Sequence, residues 1–215
     1  LSPAEAISLQ EELAEQIEFR HLPTRVRWIT GVDCAYVPSR PEIVSSAVLH
    51  EWPSLDIHEI KTVRQTCQFP YVPGLLSFRE APCVIAALQE LSTDPELVLC
   101  DGQGIAHPRK LGLATHVGIL LDIPTIGIAK KRLCGEHRNP GTRRGCATQL
   151  RHNGNVIGKV VRTRENVKPL FVSPGHMARL TGSVRWTLKT ARRYRLPEPI
   201  RAAHISVTRA SKSFS

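Results

Sequence analysis

Apolar and polar positions divide the 215-residue chain into alternating helix-like and strand-like stretches. Ser2-Pro3-Ala4-Glu5 has the form of a capping box with proline at the first helical position, and Ile7, Leu13 and Ile17 follow as an apolar stripe. An amphipathic N-terminal helix with a structural role is predicted. Three strand-like runs come next, at 26–36, 43–49 and 55–63, with Pro38 and Pro41 in the first turn and Pro53-Ser54 in the second. Consecutive strands with short turns predict an antiparallel meander. A helix over 81–91 carries Val84, Ile85, Leu88 and Leu91 as its apolar face. Leu97-Val98-Leu99-Cys100 and residues 124–129 are continuous apolar runs, the pattern of strands covered on both faces of a parallel sheet. A helix over 111–121 links them.

The C-terminal part reads as a loop over 135–147, then a hairpin turned at Asn153-Gly154 between 149–151 and 156–161. A strand at 170–173, a basic helix over 178–194 and a last helix over 200–209 complete the pattern. No repeat or low-complexity tract interrupts it, so residues 1–215 are expected to form a single domain. The fold class is α/β. Three antiparallel strands, then helix, strand, helix, strand, is the order of a ribonuclease H-like mixed β-sheet flanked by helices.

Composition adds a polyanionic partner to this picture. Net charge is +10, and it is unevenly placed. Residues 1–103 hold 7 Lys and Arg against 15 Asp and Glu, a balance of −8, whereas residues 104–215 hold 22 against 4, a balance of +18. An acidic half suits cations and a basic half suits phosphates. Six cysteines show no C-x-x-C pair, which argues against a zinc site and for reduced thiols in a cytoplasmic protein. No run is long and apolar enough to span a membrane. The chain opens on Leu1, which leaves a preceding segment open.

Candidate chemistry begins at Phe69-Pro70-Tyr71-Val72-Pro73-Gly74-Leu75-Leu76-Ser77-Phe78-Arg79-Glu80. Prolines and glycine stiffen the loop and hold Tyr71 out as a wedge beside the carboxylate of Glu80. Ser77-x-x-Glu80 also fits a capping box, while Pro82 prefers the first helical position, which would put Glu80 at or beside the cap. The segment alone leaves cap and ligand both open. Asp33 interrupts an apolar strand, where a charge needs a partner. Asp101 follows an apolar strand and opens Asp101-Gly102-Gln103-Gly104, the place where open α/β sheets build sites. Three such carboxylates suit a hard cation, Mg²⁺ with Mn²⁺ as substitute. His107 lies beside Arg109 and Lys110 and is a candidate phosphate contact; His116 reads as an interior histidine; Lys130 ends a strand where it would offset phosphate charge.

These runs, with Gly31-Val32-Asp33, His107-Pro108-Arg109, Gly127-Ile128-Ala129-Lys130 and Leu196-Pro197-Glu198-Pro199, resemble the endonuclease V family in its bacterial form, over about residues 5–209. The resemblance implies a DNA repair nuclease that nicks the second phosphodiester 3′ to a deaminated purine, leaving 3′-hydroxyl and 5′-phosphate. It implies metal binding by Asp33, Glu80 and Asp101, further active-site roles for Lys130 and His204, and a strand-separating wedge at Tyr71. Gly74, Leu76 and Gly102 match positions of the base pocket, and Pro70, Pro73, Arg79, Gly104 and His107 complete the expected substrate-binding set. The expected partner is deoxyinosine-containing DNA, single- or double-stranded, bound by a monomer; the sequence leaves open whether inosine-containing RNA is also cut. A base-excision glycosylase, a junction- or flap-directed ribonuclease H-like nuclease and a lesion-binding module without activity are the competing readings.

Overall fold

The computed structural model describes residues 1–213. Helix α1 (Pro3–Glu15) has the predicted capping box, with Ser2 Oγ accepting from Glu5 N and Glu5 reaching back to Ser2 N. Its buried stripe differs from the predicted one. Ala6, Gln10 and Leu13 face inward, Ile7 is exposed, and the helix ends before Ile17. The i, i+4, i+7 spacing of the buried set is helical, but its central member is polar.

Strands β1 (Trp28–Tyr36), β2 (Glu42–Glu51) and β3 (Asp56–Thr66) form the antiparallel meander. Helix α2 (Leu76–Gln89) then leads to β4 (Leu97–Cys100), α3 (Leu113–Leu121) and β5 (Thr125–Ala129). β4 lies parallel to β1, and β5 parallel to β4. Beyond them the sheet turns antiparallel again through β6 (Glu136–His137), β7 (Ala147–His152), β8 (Asn155–Val161) and β9 (Leu170–Pro174). The nine strands stand in the order β3-β2-β1-β4-β5-β9-β8-β7-β6. The mixed sheet is ribonuclease H-like, as expected, with the C-terminal hairpin extending its far edge.

Three helix boundaries are corrected. α2 begins at Leu76 and carries Pro82 inside it, so Pro82 does not mark the helix start and Glu80 is not at the cap. The N-cap is Leu75, and no side chain caps it, which rules out the Ser77–Glu80 capping box. The basic helix is shorter than predicted: α4 spans Leu180–Thr190, leaving Arg192 and Arg193 beyond its end. The last helix is longer: α5 spans Glu198–Ser213.

The central strands are buried on both faces. Val32, Ala47, Leu49, Val98 and Cys100 pack against α2 and α3. Ile29, Leu97, Leu99, Ile126 and Val172 pack on the opposite face against Trp186 of α4 and Ile200 of α5. Side chains alternate along a strand, so Gly31 and Asp33 share the α5 face of β1. A Cβ on Gly31 would lie 2.1 Å from the carbonyl carbon and oxygen of Pro199. The missing side chain is what lets the start of α5 sit directly on β1.

Candidate active site

Asp33 is the point on which the site is built. The close seating of α5 on Gly31 carries His204 over the same strand face, and His204 Nδ1 lies 2.7 Å from Asp33 Oδ2. Asp33 Oδ1 accepts from Cys34 N at 2.8 Å. On the neighbouring strand Asp101 follows β4 directly, and its N–H donates to Val32 O at 3.1 Å. Parallel pairing of β1 with β4 thus brings two carboxylates, 68 positions apart in the chain, to one end of the sheet. Ligand atoms of Asp33, Asp101 and His204 all lie within 4.8 Å of one another.

Glu80 approaches this group from α2. It is not within the 4.8 Å set, yet it shares its electrostatics. Burial, then the charge of Asp33, pushes its carboxyl up from 4.5 to about 7, and Tyr36 Oη, donating at 3.4 Å, opposes the rise. Asp33 is itself raised, first by burial and then by the charge of Asp101, with His204 and Lys130 acting against the rise. Asp33 is only 7% exposed. Buried carboxylates that each hold a neighbour's pKa up are short of positive charge. Lys130 Nζ supplies one cation, paired with Asp101 Oδ2, and its backbone carbonyl is held by Arg195 Nη2 at 3.2 Å. Arg79 acts on Glu80 and Asp101 on Arg195 as well, yet Asp33 and Glu80 both stay raised, so the site would gain from a further positive charge. This oxygen-rich donor set fits a hard divalent cation.

A cavity of ≈ 480 Å³ opens beside the cluster. Its wall includes Tyr71, Pro73, Gly74, Leu76 and Gly102, with Glu80, Asp101 and Lys130 on the side of the carboxylate cluster. Tyr71 is 72% exposed and projects from the loop as expected. Of the remaining expected contacts, Pro70, Arg79 and Gly104 do not line the cavity. Arg79 Nη1 donates to Phe69 O at 2.6 Å and its guanidinium covers the Tyr36 ring, so it braces the loop. Gly104 is buried; a Cβ there would meet Pro174 O at 2.0 Å.

His107 lines the cavity, but its Nε2 is engaged with Gly74 O at 3.0 Å instead of being turned to solvent. Burial, then the charge of Arg109, pulls its pKa down to about 4, so the ring is neutral and donates from Nε2. The same Gly74 carbonyl accepts from Arg109 Nη2 at 3.0 Å and from Gln10 Nε2 at 3.1 Å. Gln10 is fully buried, also donates to Leu111 O at 3.1 Å, and accepts from Arg109 Nε. Three donors on one carbonyl fix Gly74, whose φ of +80° glycine adopts without strain. α1 is therefore more than packing, because Gln10 reaches the Tyr71–Gly74 loop; a polar residue at a helical a/d-type position was the available signal. His116 is the interior histidine expected, bonded to Ser77 Oγ at 3.2 Å and set edge-on to Phe78.

The family model described as Endonuclease V matches residues 11–205. The chain belongs to the endonuclease V family. An Endonuclease V of Gloeobacter violaceus is 45% identical over 207 residues, covering 95% of this chain and 84% of that protein. An Endonuclease V of Dictyoglomus turgidum is 43% identical, covering 94% and 87%. The crystal structure of the endonuclease V from Streptomyces avermitilis superposes with a TM-score of 0.95 at 41% identity, covering 99% of this chain and 94% of that one. The Ciona intestinalis endonuclease V, in complex with a 24mer DNA containing an inosine followed by a ribo-adenosine, has a TM-score of 0.85 at 26% identity and covers 99% and 98%. This endonuclease V is thus a nuclease whose acidic cluster could hold a metal ion. Among the described residues no helix is long and apolar enough to cross a membrane.

Proposed function

We propose that this endonuclease V, acting through one domain over residues 1–215, recognises deoxyinosine in DNA. It hydrolyses the second phosphodiester 3′ to that lesion. The observation that carries the reading is the convergence of Asp33, Asp101 and His204 within 4.8 Å beside a cavity edged by Tyr71. The inosine-containing DNA bound by the Ciona relative supports the choice of lesion.

Asp33, Glu80 and Asp101 would hold Mg²⁺, or Mn²⁺ in its place. The cation supplies activation of water and relief of charge on the phosphate. His204 holds the Asp33 carboxylate in place through Nδ1. Lys130, beside Asp101, offsets negative charge as it builds on the phosphate oxygens. Water oxygen bonds to phosphorus, the P–O3′ bond breaks, and O3′ takes a proton, giving 3′-hydroxyl and 5′-phosphate ends.

Tyr71 fills the gap left by the everted base. In the cavity, Gly74 and Gly102 allow backbone N–H groups to come close to the base. Hypoxanthine offers the acceptor O6 where adenine offers an amine. A buried donor facing that amine is left unpaired, which is strongly discriminating. The test is incubation with a single-inosine duplex, with Mg²⁺ or with EDTA, and mapping of both product ends. A metal-dependent nick at the second phosphodiester 3′ to the inosine supports the reading; an abasic site, or indifference to inosine in favour of branched DNA, overturns it. An inosine-containing RNA run in parallel reports whether the 2′-hydroxyl is tolerated.

A further inference from the structure

A groove of ≈ 860 Å³ takes no part in the site described above. It runs between β3 and the outer side of α5 and is floored by Ile57, Ile60 and Thr62. Arg193, Arg201 and Arg209 rim it together with Arg192, against two acids, Asp56 and Glu198. Tyr194 lies under Arg201, whose guanidinium carbon is 3.8 Å from the ring centroid. Arg192 is committed to the carbonyls of Pro53 and Ser54. Arg193 and Arg209 are exposed, and their side chains have no partner among the described residues.

Continuity with the catalytic cluster gives this groove an occupant. Asp101 lines the base cavity, and Asp33 lies beside Asp101. His204 touches Asp33 from α5, the helix that forms the groove wall. Arg201 stands three residues before His204 and therefore on the neighbouring helical surface. The order is cavity, carboxylates, His204, Arg201, groove. Resting on the reading that the cut lies 3′ to a base held in the cavity, we infer that the groove binds the lesion strand beyond the cut, on its 3′ side. The arginines meet successive phosphates, and the apolar floor with Tyr194 faces sugars and bases, the combination that tracks a single strand.

The test uses the full chain and an Arg193→Ala/Arg209→Ala variant, whose changed residues are exposed and leave the core untouched. Binding is measured by fluorescence anisotropy in EDTA, which prevents cutting. The duplexes carry one inosine and a constant 5′ arm. Their lesion strand either stops just past the cut site or continues 3′ as a single-stranded overhang of about ten nucleotides, within the range one such groove holds. On the long 3′ arm the variant is expected to bind about tenfold more weakly at low salt, with a salt slope lower by about 1–2, as two lost phosphate contacts require. On the short arm the two proteins are expected to coincide. A loss of equal size on both arms, or no loss, overturns the assignment. Wild-type preference for inosine over unmodified duplex reports the parent reading separately.

Discussion

Glu80→Gln should make the metal-free protein more heat-stable while impairing cutting. Glu80 is held mostly out of water beside Asp33, and its carboxyl moves from 4.5 to about 7 in the fold. Its folded pKa lies above its unfolded one, so the stability linked to its proton is present below 4.5 and is lost as pH rises through about 7. At about 1.4 kcal/mol per pH unit, the interval corresponds to on the order of 3 kcal/mol. The side chain keeps some contact with solvent, which brings the figure to about 2 kcal/mol. Glutamine keeps the shape and the acceptor for Tyr36 Oη but never ionises. For a chain of this size 2 kcal/mol is about 4–8 °C in Tm. Thermal melts in EDTA should therefore show the variant above wild type by that amount at pH 8.5 and level with it at pH 4.5. Mg²⁺ should raise wild type more than the variant at pH 8.5, because only wild type offers the third carboxylate. Equal melting temperatures at pH 8.5 would show that Glu80 carries no such cost, and the crowding of charge at this site would have to be abandoned.

Other expectations follow from the packing around the site. Gly31→Ala pushes a methyl group into the Pro199 carbonyl, 2.1 Å away, and overpacking of this kind costs about 1–3 kcal/mol. Because the displaced helix carries His204, turnover should fall further than the loss of folded protein measured by melting; a fall matching the folded fraction would contradict the positioning role. Gln10→Leu removes one donor from Gly74 O and the donor to Leu111 O. It should raise KM for inosine substrate and narrow the preference for inosine over adenine while leaving kcat within about threefold, a difference of under 1 kcal/mol; unchanged discrimination refutes the clamp. Tyr71→Ala should weaken inosine-duplex binding by about 1–3 kcal/mol, the worth of one stacking contact, and undiminished affinity would remove the wedge.

Much of the sheet and its chemistry was legible in sequence, for physical reasons. Continuous apolar runs mark strands buried on two faces, and each of the two aspartates interrupts or ends such a run, where a charge is costly without a purpose. The prolines around Tyr71 announced an outward-held aromatic. Helix starts were less readable. Pro82 sits inside α2 although it favours a first turn, because burial of Ala81, Val84 and Leu88 against the sheet outweighs one missing hydrogen bond. Gln10 showed only as a polar residue on the inward stripe of α1, and what it holds was unreadable because its partners lie at Gly74, Arg109 and Leu111, far along the chain. His107 looked like a phosphate contact because it stands beside two cations; the fold instead buries it and uses its ring to hold Gly74. Gly31 read only as a strand residue, and its role depends on a helix that begins well over a hundred residues later.

The claim beneath all of this is that Asp33 and Asp101 jointly hold a divalent cation needed for cutting but not for lesion binding. Electron paramagnetic resonance of Mn²⁺ titrated into wild type, Asp33→Asn and Asp101→Asn tests it directly, with inosine-duplex affinity measured on the same preparations. The account predicts depletion of the free Mn²⁺ signal by wild type alone, with all three proteins binding the duplex. Mn²⁺ uptake by either variant at the wild-type level would contradict it.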